Sequence, residues 1–159
     1  MMQTRIGFGY DVHQLKDGIP FRLGGVDIDH NKGALGHSDA DALVHAICDA
    51  LLGAAALGDI GQHFPDNSDD FKDINSLFLL QKTIAMISEL GYTIGNIDST
   101  VCLQKPKIQP YIDDMRSALS LAMGIDKNQV SVKATTEEKL GFSGREEGIA
   151  VYAVALIVK

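Results

Sequence analysis

Asp11 and His13 stand two residues apart near the start of the chain, and His45 follows further along. Alternate side chains of a strand share a face, so Asp-x-His presents two metal-ligating groups together. His45 falls in a segment that reads as a helix. A carboxylate and two imidazoles leave one coordination position open, the usual form of a catalytic zinc site. Around this trio stand Gly36-His37-Ser38-Asp39, Gly58-Asp59-Ile60-Gly61, Pro106-Lys107 and Thr135-Thr136. Such a set suits a metal that handles phosphates.

Ser38, Asp41, His45 and Asp49 recur at helical spacing and form a polar stripe on an otherwise apolar segment. An Asp one turn from His45 could accept its second N–H and orient the ring. The competing reading is a solvated face with a satisfied histidine. For His45 alone that is the commoner case, and Asp-x-His turns the balance toward a metal. Asp59 beside accessible backbone could take two sugar hydroxyls, although alone it reads as a turn aspartate. Phe64-Pro65-Asp66 is a rigid turn. Lys105-Pro106-Lys107 offers backbone groups and a cation to a ligand, or is a solvated loop. Thr135-Thr136-Glu137-Glu138 fits a capping box with Thr135 as N-cap, and leaves free N–H groups and the Thr136 hydroxyl for an anion. Gly141 to Arg145 reads as a flexible loop whose arginine suits phosphate.

The chain has 159 residues, is 45% hydrophobic and carries a net charge of −7. Its length suits one domain spanning 1–159. The acidic balance argues against non-specific nucleic-acid binding. No apolar run is long enough for a membrane span, and the first residues lack the apolar stretch of a signal peptide. A cytoplasmic protein is expected. Cys48 and Cys102 sit in apolar segments and read as small buried hydrophobes.

The elements that must position these residues read as follows. Gln3 to His13 is a first strand, loosened by Gly7 and Gly9. Phe21 to Ile28 is a hairpin turning at Gly24-Gly25. Asn31 to His37 is a loop, and Ser38 opens a helix reaching about Leu57, with Asp39 and Asp41 in its first turn. A second helix spans Asn75 to Leu90, with Gly91 as its stop. A strand over Tyr92 to Gln104, a helix over Ile108 to Met123, and strands over Val130 to Thr135 and Gly148 to Val158 complete the chain. The expected class is α+β, a single-domain sandwich of a mixed sheet with helices on one face. The final strand is apolar on both faces, and such a strand must be covered on both. A homo-oligomer closing the second face is the simplest cover.

The ordered set of motifs resembles one family, the 2-C-methyl-D-erythritol 2,4-cyclodiphosphate synthases of the non-mevalonate isoprenoid pathway. The likeness runs from Arg5-Ile6-Gly7 and Gly9-Tyr10-Asp11-Val12-His13 through Leu23-Gly24-Gly25, His37-Ser38-Asp39-Ala40-Asp41 and His45-Ala46. It continues with Asp49 to Ala54, Gly58 to Gly61, Phe64-Pro65-Asp66, Pro106-Lys107, Lys133 to Thr136, Glu138 to Phe142, Gly144-Arg145 and Glu147 to Ala150. Tyr10 stands where Phe is frequent, and Leu103 where a smaller residue is common.

The resemblance implies a ferredoxin-like topology and a homotrimer with sites between neighbouring subunits. It implies closure of 4-diphosphocytidyl-2-C-methyl-D-erythritol 2-phosphate into the cyclic diphosphate with release of CMP. By similarity Asp11, His13 and His45 hold Zn2+, and Mg2+ or Mn2+ bridges the substrate phosphates. His37 and Thr136 are the implied transition-state stabilisers. Substrate contacts are implied for Asp11, His13, His37, Ser38, Asp59, Ile60, Gly61, Phe64, Pro65, Asp66, Asn67 and Ser68. They are also implied for Leu103, Gln104, Lys105, Pro106, Lys107, Ile108, Gln109, Thr135, Thr136, Glu137, Glu138, Phe142 and Arg145. A bacterial rather than plastid origin is expected. Two alternatives are a zinc-dependent phosphohydrolase of a nucleotide-like substrate, with water at the open metal position, and a non-catalytic nucleotide-binding module. Structural zinc is normally closed by four ligands, often Cys, and neither cysteine falls near Asp-x-His.

Overall fold

The first strand carries the metal-ligand candidates and decides how the rest packs. In the computed structural model, which describes residues 2–65 and 74–159, β1 runs over Thr4–Asp17. Its odd residues face inward, whereas Ile6, Phe8, Tyr10 and Val12 are exposed on the other side. Gly7 and Gly9 do not loosen this strand. A Cβ on Gly7 would sit 1.8 Å from the Ala50 carbonyl oxygen, and one on Gly9 1.9 Å from that of Ala46. The two glycines let helix α1 (Ala42–Ala54) lie directly on the strand.

β2 (Phe21–Leu23) and β3 (Val26–Ile28) form the expected hairpin. Gly24 and Gly25 turn it with positive φ values of 60° and 76°. Lys32–Ala34, expected as loop, forms β4 and pairs antiparallel with the end of β1. The first helix is shorter than expected. Asp41 is its N-cap, so Ser38 and Asp39 precede it.

After the short α2 (Ile60–His63), α3 covers Ser76–Glu89, with Asn75 accepting from Leu77 N as N-cap. β5 (Thr93–Cys102) follows, then a 3-10 turn at Gln109–Tyr111 and α4 (Ile112–Met123), which ends at Gly124 in the left-handed region. β6 (Val130–Thr135) and β7 (Gly148–Val158) match expectation. No helix follows Thr135-Thr136, so the capping-box reading fails. Glu138 and Lys139 turn through positive φ instead, and the Thr136 hydroxyl accepts from Glu138 N. Gly141–Gly144, expected as flexible loop, is the one-turn helix α5.

The main sheet has the order β4-β1-β7-β5-β6. β7 lies antiparallel to both neighbours, and β5 pairs parallel with β6 through the α4 crossover. This corrects the ferredoxin-like expectation. That topology places two consecutive strands between its two helices. Here α4 separates β5 from β6, and β6 and β7 are the consecutive strands. The class is α+β with a mixed sheet, as expected. The inward face of β7 (Val151, Ala153, Ala155, Ile157) is fully buried against α1, whereas Tyr152 and Val154 remain partly exposed on the other face.

Candidate metal centre and substrate pocket

β1 directs Asp11 and His13 toward α1, and α1 returns His45. One donor atom from each lies within 4.8 Å of the others. Asp11 Oδ2 is 2.8 Å from His13 Nδ1 and 3.5 Å from His45 Nδ1. Asp11 Oδ2 and His13 Nδ1 are buried, and neither has a hydrogen-bond partner among the described residues. Buried polar atoms are normally satisfied. Three donors converging on one point without bonding one another in good geometry fit a divalent cation. Burial raises the Asp11 pKa, but the two imidazoles outweigh it and hold the carboxyl below its ordinary value. Burial lowers that of His45, and Asp11, Asp41 and Asp39 together raise it above the ordinary value.

The donors open into a cavity of about 370 Å³ lined also by His37, Ser38, Ile60, Gly61 and Phe64. Gly36 and Leu79 complete it. Neither was singled out by the sequence as a contact. Gly36 leaves room for His13, whose Nε2 would lie 3.0 Å from an added Cβ.

Neither aspartate of the helical stripe contacts the His45 ring. Asp41 is fully buried and accepts from Gly24 N (2.8 Å), Gly25 N (2.7 Å) and Val44 N (3.1 Å), tying the hairpin to the helix start. Asp49 accepts from Ile60 N at 2.7 Å and holds the segment that brings Ile60 and Gly61 to the cavity. Burial raises its pKa, with Asp59 and Asp11 adding to the rise. The His45 ring meets Ser76 and Ser38 instead, with Nε2 2.9 Å and 3.1 Å from their hydroxyls. Ser76 follows the Asn75 cap and gave no sign of this role, because its partner lies thirty-one residues away.

A second groove, of about 1040 Å³, is lined by the expected run Leu103 to Gln109 with Thr135 and Thr136. His30, Ile112 and Lys133 join it unforeseen. Asp59 caps α2 beside the first cavity and accepts from Gln62 N, and Pro65 follows the cavity-lining Phe64 in the chain without lining the cavity itself. Asp66, Asn67 and Ser68 lie outside the described residues. Glu137 and Glu138 follow the second groove in the chain. Phe142 packs near Gly148, and Arg145 is engaged by Glu147 at 3.0 and 3.2 Å. These last four line neither cavity. His37 and Thr136 therefore lie in separate pockets of one chain.

A model of the YgbB family matches residues 4–158. The 2-C-methyl-D-erythritol 2,4-cyclodiphosphate synthase of Bacteroides fragilis is 58% identical over 156 residues, covering 98% of each chain. The chain belongs to this synthase family. Family members of known structure share the fold. The bifunctional IspDF of Campylobacter jejuni aligns with a TM-score of 0.95 at 41% identity over 99% of this chain, which spans 42% of that longer one. IspF of Plasmodium falciparum, solved as a CDP complex, aligns at 0.85 with 38% identity, covering 97% of this chain and 95% of its own.

Proposed function

We propose that the chain closes 4-diphosphocytidyl-2-C-methyl-D-erythritol 2-phosphate into 2-C-methyl-D-erythritol 2,4-cyclodiphosphate and releases CMP, a step of non-mevalonate isoprenoid biosynthesis. The observation that carries this reading is the convergence of Asp11, His13 and His45 in a cavity shared with His37, Ser38 and Gly61. An oxygen of the 2-phosphate attacks the β-phosphorus. The bond from that phosphorus to the bridging oxygen breaks, and CMP leaves with the electron pair. No protein nucleophile is needed, so positioning and charge balance supply the rate.

Asp11, His13 and His45 hold zinc in this reading, and magnesium or manganese accompanies the substrate phosphates. When bound, such ions polarise the diphosphate and offset charge on the leaving group. His37 and Ser38 bind the phosphate end beside the donor trio. Asp59 and Gly61 take the ribose hydroxyls. The Leu103–Gln109 segment receives the cytosine through backbone groups. Thr136 offers its hydroxyl to the phosphates from the other groove.

Because His37 and Thr136 line separate pockets, the complete site forms where the cavity of one copy meets the groove of another. The exposed Ile6, Phe8, Tyr10 and Val12 supply an apolar face for that assembly, and a homotrimer is the proposed form. The working location is a bacterial cytoplasm. Among the described residues no helix is long and apolar enough to cross a membrane. The net charge of −7 counts against non-specific nucleic-acid binding.

The test is a product assay with the cytidyl substrate, zinc and magnesium, followed by phosphorus NMR. Two coupled ring-diphosphate resonances appearing with CMP are expected. Free phosphate or a linear diphosphate would mark a phosphohydrolase instead. His45→Ala is expected to lose zinc and turnover while remaining assembled, and Thr136→Ala to keep zinc and lose turnover.

A further inference from the structure

His45 presents Nδ1 to Asp11 at 3.5 Å and Nε2 to Ser76 Oγ at 2.9 Å. Ser76 is fully buried and gives its hydroxyl proton to Asp39 Oδ1. Asp39 Oδ2 accepts Ser76 N–H at 3.0 Å and lies 3.3 Å from Arg22 Nε, while Oδ1 takes a longer bond from Asp41 N. A hydroxyl has one proton. Once Asp39 takes it, Ser76 Oγ has only lone pairs to offer the imidazole. Nε2 must then carry a proton, and in the neutral ring Nδ1 is left with the lone pair that points into the donor cluster. Ser38 also approaches Nε2, at 3.1 Å, but it lines the cavity, and no carboxylate among the described residues anchors its hydroxyl.

We propose that Asp39 and Ser76 act as a positioning relay, fixing the His45 ring and its tautomer so that Nδ1 is ready for a divalent cation. The inference rests on the metal reading above. Partners of this kind outside the ligand set orient ligands, and their loss typically costs about 10–100-fold in metal affinity. Ser76→Ala removes the acceptor. Asp39→Asn tests the direction of the relay. Ser76 N–H keeps the amide oxygen at the Oδ2 position, on the side of the Arg22 guanidinium, which sets an N–H donor against Ser76 Oγ. The serine proton then turns toward Nε2 and favours the tautomer whose Nδ1 is blocked.

The experiment titrates the intact metal-free protein with zinc ion against a chromogenic chelator, without substrate, alongside thermal melts of the metal-free forms. Both variants are expected to bind zinc about 10–100-fold more weakly at a nearly unchanged metal-free melting temperature, and Ser76→Thr to recover affinity. If Ser76→Ala does not fold, Asp39→Asn decides. Wild-type-like zinc affinity in Asp39→Asn would overturn the relay and leave the metal reading standing. Failure of the wild-type protein to take up zinc would overturn both. An affinity loss matched by a lower metal-free melting temperature, with no recovery in Ser76→Thr, would make the pair merely structural and overturn the relay.

Discussion

Gly9→Ala is the sharpest probe of how the fold builds the site. The new Cβ would lie 1.9 Å from Ala46 O and 2.8 Å from Ala50 N, and real Cβ contacts essentially never fall below 3.0 Å. Both obstacles are helix backbone, so no side chain can swing aside, and β1 must move off α1 by about 1.1 Å at this point. Overpacking of this kind costs about 3 kcal/mol, the upper part of its usual range. For a chain of this size that lowers the melting temperature by roughly 6–12 °C. The same opening separates Asp11 and His13, two and four residues on, from His45. Metal sites tolerate donor displacements of only about 0.2 Å, so zinc affinity is expected to fall by at least about 100-fold, as for a 1 Å misplacement of catalytic groups. Thermal melts of the metal-free protein and chelator competition read the two effects. Gly53→Ala is the control, since an added Cβ there meets only Phe8 O at 4.0 Å, and it should be neutral or slightly stabilising. A Gly9→Ala protein with wild-type melting temperature and zinc affinity would refute the close-approach argument.

Asp41→Ala orphans three backbone N–H groups; losing the cap costs about 1 kcal/mol and each other buried N–H a further 1–3, so about 4 kcal/mol by urea unfolding is expected, and a loss under about 1 kcal/mol would contradict the assignment. Asp49 has a raised folded pKa, so the folded state holds more protons than the unfolded one above pH 3.8 and stability declines as pH rises through the folded value. Asp49→Asn keeps an acceptor for Ile60 N and should flatten that decline in metal-free urea midpoints between pH 4 and 7; an unchanged slope would count against it. Phe8→Glu places a charge on the exposed apolar face of β1 and should shift sedimentation toward monomer and abolish turnover; a fully active monomer would defeat the inter-subunit site.

The sequence revealed what depends on short spacings. Asp-x-His on a strand, the Gly24-Gly25 turn and the two-faced apolar β7 all follow from local period, and all hold in the structure. It misled where a local pattern had a distant partner. Asp41 and Asp49 sit one turn either side of His45 and looked like its supports. Gly24, Gly25 and Ile60 claim them instead, because those backbone donors, buried or part-buried, have no other acceptor among the described residues. Thr135-Thr136 carried the letters of a capping box, yet β6 runs through Thr135 because pairing with β5 continues to Cys102. The ferredoxin-like expectation failed for the same reason, since strand order depends on pairings across the whole chain.

β1 shows how both kinds of information meet in one element. Its odd residues give up bulk at Gly7 and Gly9 so that α1 can descend, and the same face then offers Asp11 and His13 at the depth where His45 arrives. Its even residues, Ile6, Phe8, Tyr10 and Val12, carry large apolar groups that stay exposed among the described residues, and Tyr10 and Phe8 lie against Tyr152 of β7. A one-residue register slip exchanges both faces of a strand at once. Such a slip of β1 against β7 would put Phe8 under α1, where only glycine fits, and turn Asp11 outward. The register that buries no bulk against Ala46 and Ala50 is therefore also the register that assembles the donors, and packing selects the site geometry before any ion binds.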